Sequence, residues 1–158
     1  MKQMIRKELY MIIVLVFISL TIVIFPVIKA QRIYEYEAID HYFHTIATQR
    51  GMETKDASFF RRSYSMNQDE YQNAQIYGHK GAMEVEEFAI FQVDYANAES
   101  VVQACEKRIS NLKQSFAGYG TTQTEILEKA VVKQYGNVIL CVIGNDGEAL
   151  LKEMENAL

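Results

Sequence analysis

The chain has 158 residues, of which 49% are hydrophobic and 23% charged, with a formal net charge of −4. Its length fits one domain of about 100–150 residues plus an appendage. From Ala30 onward 12 basic residues stand against 19 acidic ones, a formal charge of −7, which argues against nucleic acid as a partner and against electrostatic adhesion to anionic lipid headgroups.

From Leu9 to Ile28 the stretch LYMIIVLVFISLTIVIFPVI carries no charge. About 20 apolar residues rising about 1.5 Å each cross a hydrocarbon core of about 30 Å, so the stretch predicts a transmembrane helix in contact with the lipid bilayer. Lys2, Arg6 and Lys7 precede it and only Lys29 and Arg32 follow before Glu35 and Glu37. That bias favours a cytoplasmic N-terminus and an extracytoplasmic remainder in the cell membrane. Tyr10, Tyr34 and Tyr36 suit the two interfaces, and Pro26 suits a kink or an end. The rival reading is a cleaved signal peptide ending at IKA before Gln31, but the apolar run exceeds the usual h-region and Ile28 is bulky at the cleavage position. A buried soluble helix is the third alternative.

Next, Tyr36, Ile39, Phe43 and Ile46 recur at helical spacing, which predicts that the membrane helix continues into an amphipathic stalk with an unpartnered apolar stripe. That stripe is a candidate contact surface, or packs on the domain. On the opposite face Glu37, His41 and His44 share a side. They lack the HExxH spacing and a nearby fourth ligand, so a solvated stalk face is favoured over a metal site. Arg50 to Ser58, polar and containing Gly51, is the linker candidate. The division expected is 1–30 for the cytoplasmic tip and anchor, 31–58 for juxtamembrane helix and linker, and 59–158 for a small domain.

Within that domain NAQIY, Asn73 to Tyr77, leads through GHKG to EEFAIFQVD, Glu86 to Asp94, and reads as two strands, the second half-buried. Val101, Cys105, Ile109, Leu112 and Phe116 form one face of a helix from about Ala98 to Ala117, with Asn97 as its cap and Gly118 at its end. Thr122 and Glu125 predict a capping box for a short helix. AVVKQYGNVILCVIG reads as a hairpin around Tyr135-Gly136-Asn137, with VILCVI as a central strand. Asn145 or Asp146 caps a last helix striped by Leu150, Leu151, Met154 and Leu158. The fold class expected is α+β: an N-terminal membrane helix and stalk, then a small, mostly antiparallel sheet covered by helices in the order ββααββα.

The chemistry-bearing candidates are few. Glu86 and Glu87 are adjacent carboxylates, but neighbours on a strand point to opposite faces, so a shared acid–base role is disfavoured. A tether, with one of them accepting from Arg108 or from free backbone amides at the strand's start, is the better reading, and a solvated edge is the alternative. Cys105 and Cys141 both fall on inward positions and read as two free core thiols, although an oxidising exterior would permit a bond. GNDGE, Gly144 to Glu148, reads as a turn and cap, since Asp146 and Glu148 would repel a phosphate. GxSxG, P-loop, paired CxxC and EF-hand patterns are missing from the sequence, and no catalytic residue, metal or cofactor is expected.

The run from Phe59 to Asp146 resembles the bacterial family DUF4358, a domain of unknown function. The likeness rests on Met83 and Glu86-Glu87 ahead of a strand, on Arg108, Gln114, Phe116, Gly118 and Tyr119 around the long helix, and on Leu127 with Tyr135-Gly136-Asn137. The resemblance implies a small surface protein of Gram-positive bacteria tethered by a membrane helix or a lipid. It supplies no reaction; a setting beside O-acyltransferase systems that modify surface polymers is a further implication. The chain departs from the family at Tyr64-Ser65-Met66, where a glycine commonly follows the tyrosine. The expected role is therefore a binding or accessory module of the cell envelope, contacting an envelope protein or membrane complex. The alternatives are a small polymer-modifying enzyme or accessory subunit, whose mark would be a pocket joining carboxylates or His79 from distant segments, and a purely structural subunit.

Overall fold

The computed structural model describes Val14 and residues 34–158. The expected transmembrane helix lies outside the described residues, and among those described no helix is long and apolar enough to cross a membrane. Residues 34–158 belong to one compact unit.

In chain order the elements are α1 (Tyr36–Gln49), β1 (Glu53–Thr54), α2 (Ala57–Tyr64), β2 (Asn73–Gly78), β3 (Glu87–Gln92), α3 (Ala98–Phe116), α4 (Thr121–Glu128), β4 (Val131–Tyr135), β5 (Val138–Ile143) and α5 (Gly147–Ala157). The five strands make one sheet in the order β1-β2-β3-β5-β4, and every neighbouring pair is antiparallel. The ββααββα order holds from β2 onward. The sheet has helices on both faces, so its two central strands are buried throughout apart from Gln92. Within EEFAIFQVD, residues 87–91 are therefore covered on both faces rather than on one, because a helix layer takes the face expected to meet water.

Period-2 alternation divides the core in two. Ile76, Ala89, Phe91, Ile139, Cys141 and Ile143 face α2, α3 and α4 and join Phe60, Tyr64, Val101, Cys105 and Leu127. Tyr77, Phe88, Ile90, Val138, Leu140 and Val142 face the other way and join Ile39, Phe43, Leu150, Leu151 and Met154.

The stalk expectation needs correction. Tyr34 and Glu35 are not helical, and Glu35 caps α1 in an extended conformation, so α1 begins afresh at Tyr36. Its stripe has a partner within this chain: Tyr36, Ile39 and Phe43 are buried and Ile46 half-buried in the second core, with the Phe43 and Phe88 rings 5.3 Å apart. An amphipathic face gains most by burial, roughly 1.5–3 kcal/mol per large apolar side chain, and the sheet supplies the surface.

The linker candidate is also structured. Gly51 turns at φ +69°, Met52 is buried, and Glu53–Thr54 pairs with β2 as the edge strand. Asp56 then caps α2, its carboxylate accepting from the Phe59 amide at 2.9 Å. Thr122 is the second residue of α4 and so cannot cap it; the cap position is Gly120. Asn97 stands at the start of α3 as expected, but its side chain donates to the Glu70 carbonyl instead of capping. The β4–β5 hairpin turns through Gly136, φ +61°, and Asn137, as the Gly-Asn pair predicts.

Candidate functional site

Glu87 begins β3 and is 4% exposed. Its side chain turns toward α2 and α3, where Oε1 accepts from the Tyr64 hydroxyl at 2.6 Å and from Arg108 Nε at 3.2 Å. Oε2 accepts from Arg108 Nη2 at 2.8 Å. The guanidinium also lies over the rings of Phe59 and Tyr64. Burial and then the Glu87 charge push the Tyr64 phenol up, so it stays a donor. Burial works against the Arg108 charge, but the bonds to Glu87 outweigh it and hold the guanidinium above its ordinary value. A two-pronged pair with a third donor is the geometry a buried carboxylate requires.

Glu86, one residue earlier, has a separate set of partners. Its Oε1 lies 3.4 Å from Arg50 Nη1, and Arg50 grips Asp146 through two bonds of 3.1 and 2.5 Å. Arg50 ends α1 and Asp146 starts α5, so the cluster pins both helices of that face to the start of β3. The bond from Arg50 holds the Asp146 carboxyl below the usual carboxylate range. Glu86 Oε2 stands 3.5 Å from His79 Nε2, and Glu84 Oε1 stands 3.9 Å from His79 Nδ1.

These groups meet at a cleft of about 300 Å³ under the β2–β3 connection. His79, Glu84, Glu86 and Glu87 come from that connection and the start of β3. Lys55 and Phe59 come from β1–α2, and Arg108 and Leu112 from α3. The cavity thus joins carboxylates and His79 to side chains from distant segments. An imidazole flanked by two carboxylates can move a proton. Among the described residues no serine, threonine, tyrosine or cysteine lines the cleft.

Cys105 and Cys141 are free and fully buried; a hydrogen bond to Cys141, then burial, pushes the Cys105 thiol up, away from reactivity. Glu37, His41 and His44 are exposed along α1, and among the described residues no three His, Cys, Asp or Glu side chains are grouped to hold a metal ion. A second hollow, of about 460 Å³, lies between the end of α4 and the start of α5. Among its polar groups Lys129 bonds Asn145, and Asp146 bonds Arg50.

Tyr119 is 66% exposed just beyond α3, its hydroxyl donating to the Ser115 carbonyl. Met83, 54% exposed, rides on the β2–β3 connection, which Gln123 of α4 holds through the Met83 carbonyl at 3.0 Å. Sequence reasoning placed Glu86, Glu87, Arg108 and Tyr119 but missed Tyr64, Arg50 and Lys55. Tyr64 had a signal, standing four residues after Phe60 behind the Asp56 cap. Arg50 and Lys55 had none, since their partners lie 36 and 24 residues away.

No curated protein and no solved structure matches the chain. The family model described as Domain of unknown function (DUF4358) matches residues 45–144, from within α1 to the end of β5. The departure at Ser65 falls on the residue that ends α2, and it adopts φ +57° and ψ +29°, the left-handed region that favours glycine; the turn forms with serine in it. With nearly two thirds of its length under that match, the chain belongs to the DUF4358 family.

Proposed function

We propose that this domain is a binding or accessory module of the cell envelope, anchored to the membrane by its uncharged N-terminal stretch and carried on the extracytoplasmic side. Its contact face is the end formed by the cleft, the β2–β3 connection and the α3–α4 junction. The observation that carries this reading is the exposure of two large apolar side chains, Met83 on the β2–β3 connection and Tyr119 at the α3–α4 junction, where Gln123 of α4 ties the two segments through the Met83 carbonyl. Large apolar groups beside a polar, rigidly held cavity are the usual make-up of a contact surface. The partner is an envelope protein or membrane-complex subunit. The α1 stripe, the other candidate surface, is occupied by the sheet.

A photo-crosslinking residue placed at Met83 or at Tyr119 of the full chain tests this in intact cells. The reading predicts a discrete adduct from both positions; its absence from both sinks the reading. Topology is checked by a cysteine introduced at exposed Lys152, which an impermeant reagent should label in intact cells; protection would reverse the orientation.

One observation favours a second reading, a small polymer-modifying enzyme: His79 opens onto the cleft between Glu84 and Glu86. If it holds, His79→Gln abolishes a surface-polymer modification while leaving the Met83 adduct intact.

A further inference from the structure

The cleft contains three cationic side chains and three carboxylates, so formal charge does not say what it binds. Counting donors and acceptors does. Both Glu87 oxygens are taken, by Tyr64 and by Arg108. Glu86 is engaged by Arg50 from outside the cleft. Glu84 Oε2 accepts from the Gly81 amide at 3.2 Å, and the other oxygens of Glu84 and Glu86 flank the His79 ring at 3.9 and 3.5 Å.

The donors are less fully used. Arg108 spends only Nε and one hydrogen of Nη2 on Glu87, and Nη1 donates to no acceptor among the described residues. Lys55 Nζ has three hydrogens and one acceptor, the His79 carbonyl at 2.5 Å. The two cations share one ring: Lys55 Nζ lies 5.7 Å and the Arg108 guanidinium carbon 5.5 Å from the centre of Phe59. Gly78 makes this possible. A Cβ there would stand 3.1 Å from Lys55 Cε and 3.8 Å from Glu87 Cγ, so the bare backbone leaves room for the lysine stem where a side chain would press it aside.

We propose that the cleft binds an anionic group, a carboxylate or a phosphate ester, between Lys55 Nζ and the outer edge of Arg108. The proposal rests on the reading of this end as the contact face. A guanidinium edge and an ammonium lining one cleft match the oxygens of either anion. Phe59 and Leu112 give the attached carbon chain an apolar wall. A cavity of about 300 Å³ lies at the small end of ligand sites, which fits one such group and a short stem.

Calorimetric titration of the full chain tests it, with inorganic phosphate, glycerol 3-phosphate and acetate as probes. Saturable binding is expected, weakened at least about tenfold in Lys55→Gln, the loss of one charge-assisted hydrogen bond. Gly78→Ala is expected to weaken it in the same direction by pushing the lysine aside. Both changes spare the Glu87 tether, and unchanged unfolding midpoints would show that the fold persists. Tighter binding of glycerol 3-phosphate than of acetate assigns the natural group as a phosphate ester; the reverse order assigns a carboxylate. No saturable binding of any probe, or binding that Lys55→Gln leaves unchanged, overturns the proposal. A discrete adduct at Met83 alongside such a failure leaves the contact-face reading standing, and anion binding without any adduct does the opposite.

Discussion

On the sheet face covered by α2, α3 and α4, Glu87 is almost wholly withdrawn from water and held by three hydrogen bonds from two helices. Toward the face covered by α1 and α5, Glu86 keeps a quarter of its side chain exposed and shares Arg50 with Asp146 at a longer distance. The two residues are the same amino acid, one position apart, and the pleat of the strand sends them to different environments. Similar contacts therefore carry different weights. A buried pair is costly to break because the surviving partner is left charged in a poor solvent, whereas a half-exposed pair loses only a screened attraction.

The contrast can be broken most violently at Glu87. Glu87→Ala strands the Arg108 charge and the Tyr64 hydroxyl, and urea unfolding of the full chain should show a loss of about 3–5 kcal/mol. Tyr64→Phe removes one hydrogen bond to a carboxylate and keeps the ring, with an expected loss of about 1.5–3 kcal/mol in the same assay. Arg50→Ala on the other side should cost no more than about 1 kcal/mol.

Acid sharpens the distinction. The Asp146 carboxyl is held down by Arg50, so its folded value lies below its unfolded one. The Arg50–Asp146 pair therefore contributes in full above the ordinary aspartate range near about 4 and fades as pH falls through the lowered folded value. Arg50→Ala should flatten that part of the stability profile; an unchanged acid limb would refute the assignment. The smallest change expected is a gain. Ser65→Gly relieves a left-handed serine and should raise stability by about 0.5–1 kcal/mol, net of the glycine's greater freedom when unfolded.

Much of the fold was legible because its signals are periodic. The alternation in Glu86 to Asp94, the three- and four-residue steps of α3 and the Gly136-Asn137 turn each specify an element by local geometry. α1 was legible as an amphipathic helix, but a stripe names no partner, and the adjacent apolar stretch suggested a continuous stalk. α2 was hidden: its buried face is only Phe60 and Tyr64, separated by Arg61 and Arg62, and eight residues are too few to establish a period. β1 has two residues and no pattern of its own. At the site, a tether from one of the two glutamates to Arg108 was legible as an option from charge alone, but which glutamate turns inward was not, because that depends on the register of β3. Nor was the cleft, because Lys55, His79 and Arg108 are brought together by strand pairing and helix docking, and no local spacing encodes that.

The most direct test of the separation is a pair of double-mutant cycles in the full chain, Glu87 with Arg108 and Glu86 with Arg108, read by urea unfolding. Contacting residues in one network couple, whereas residues without shared partners add to within about 0.3–0.5 kcal/mol. The account predicts a coupling of about 2 kcal/mol or more for the first pair and additivity for the second. Equal couplings in the two cycles would contradict it.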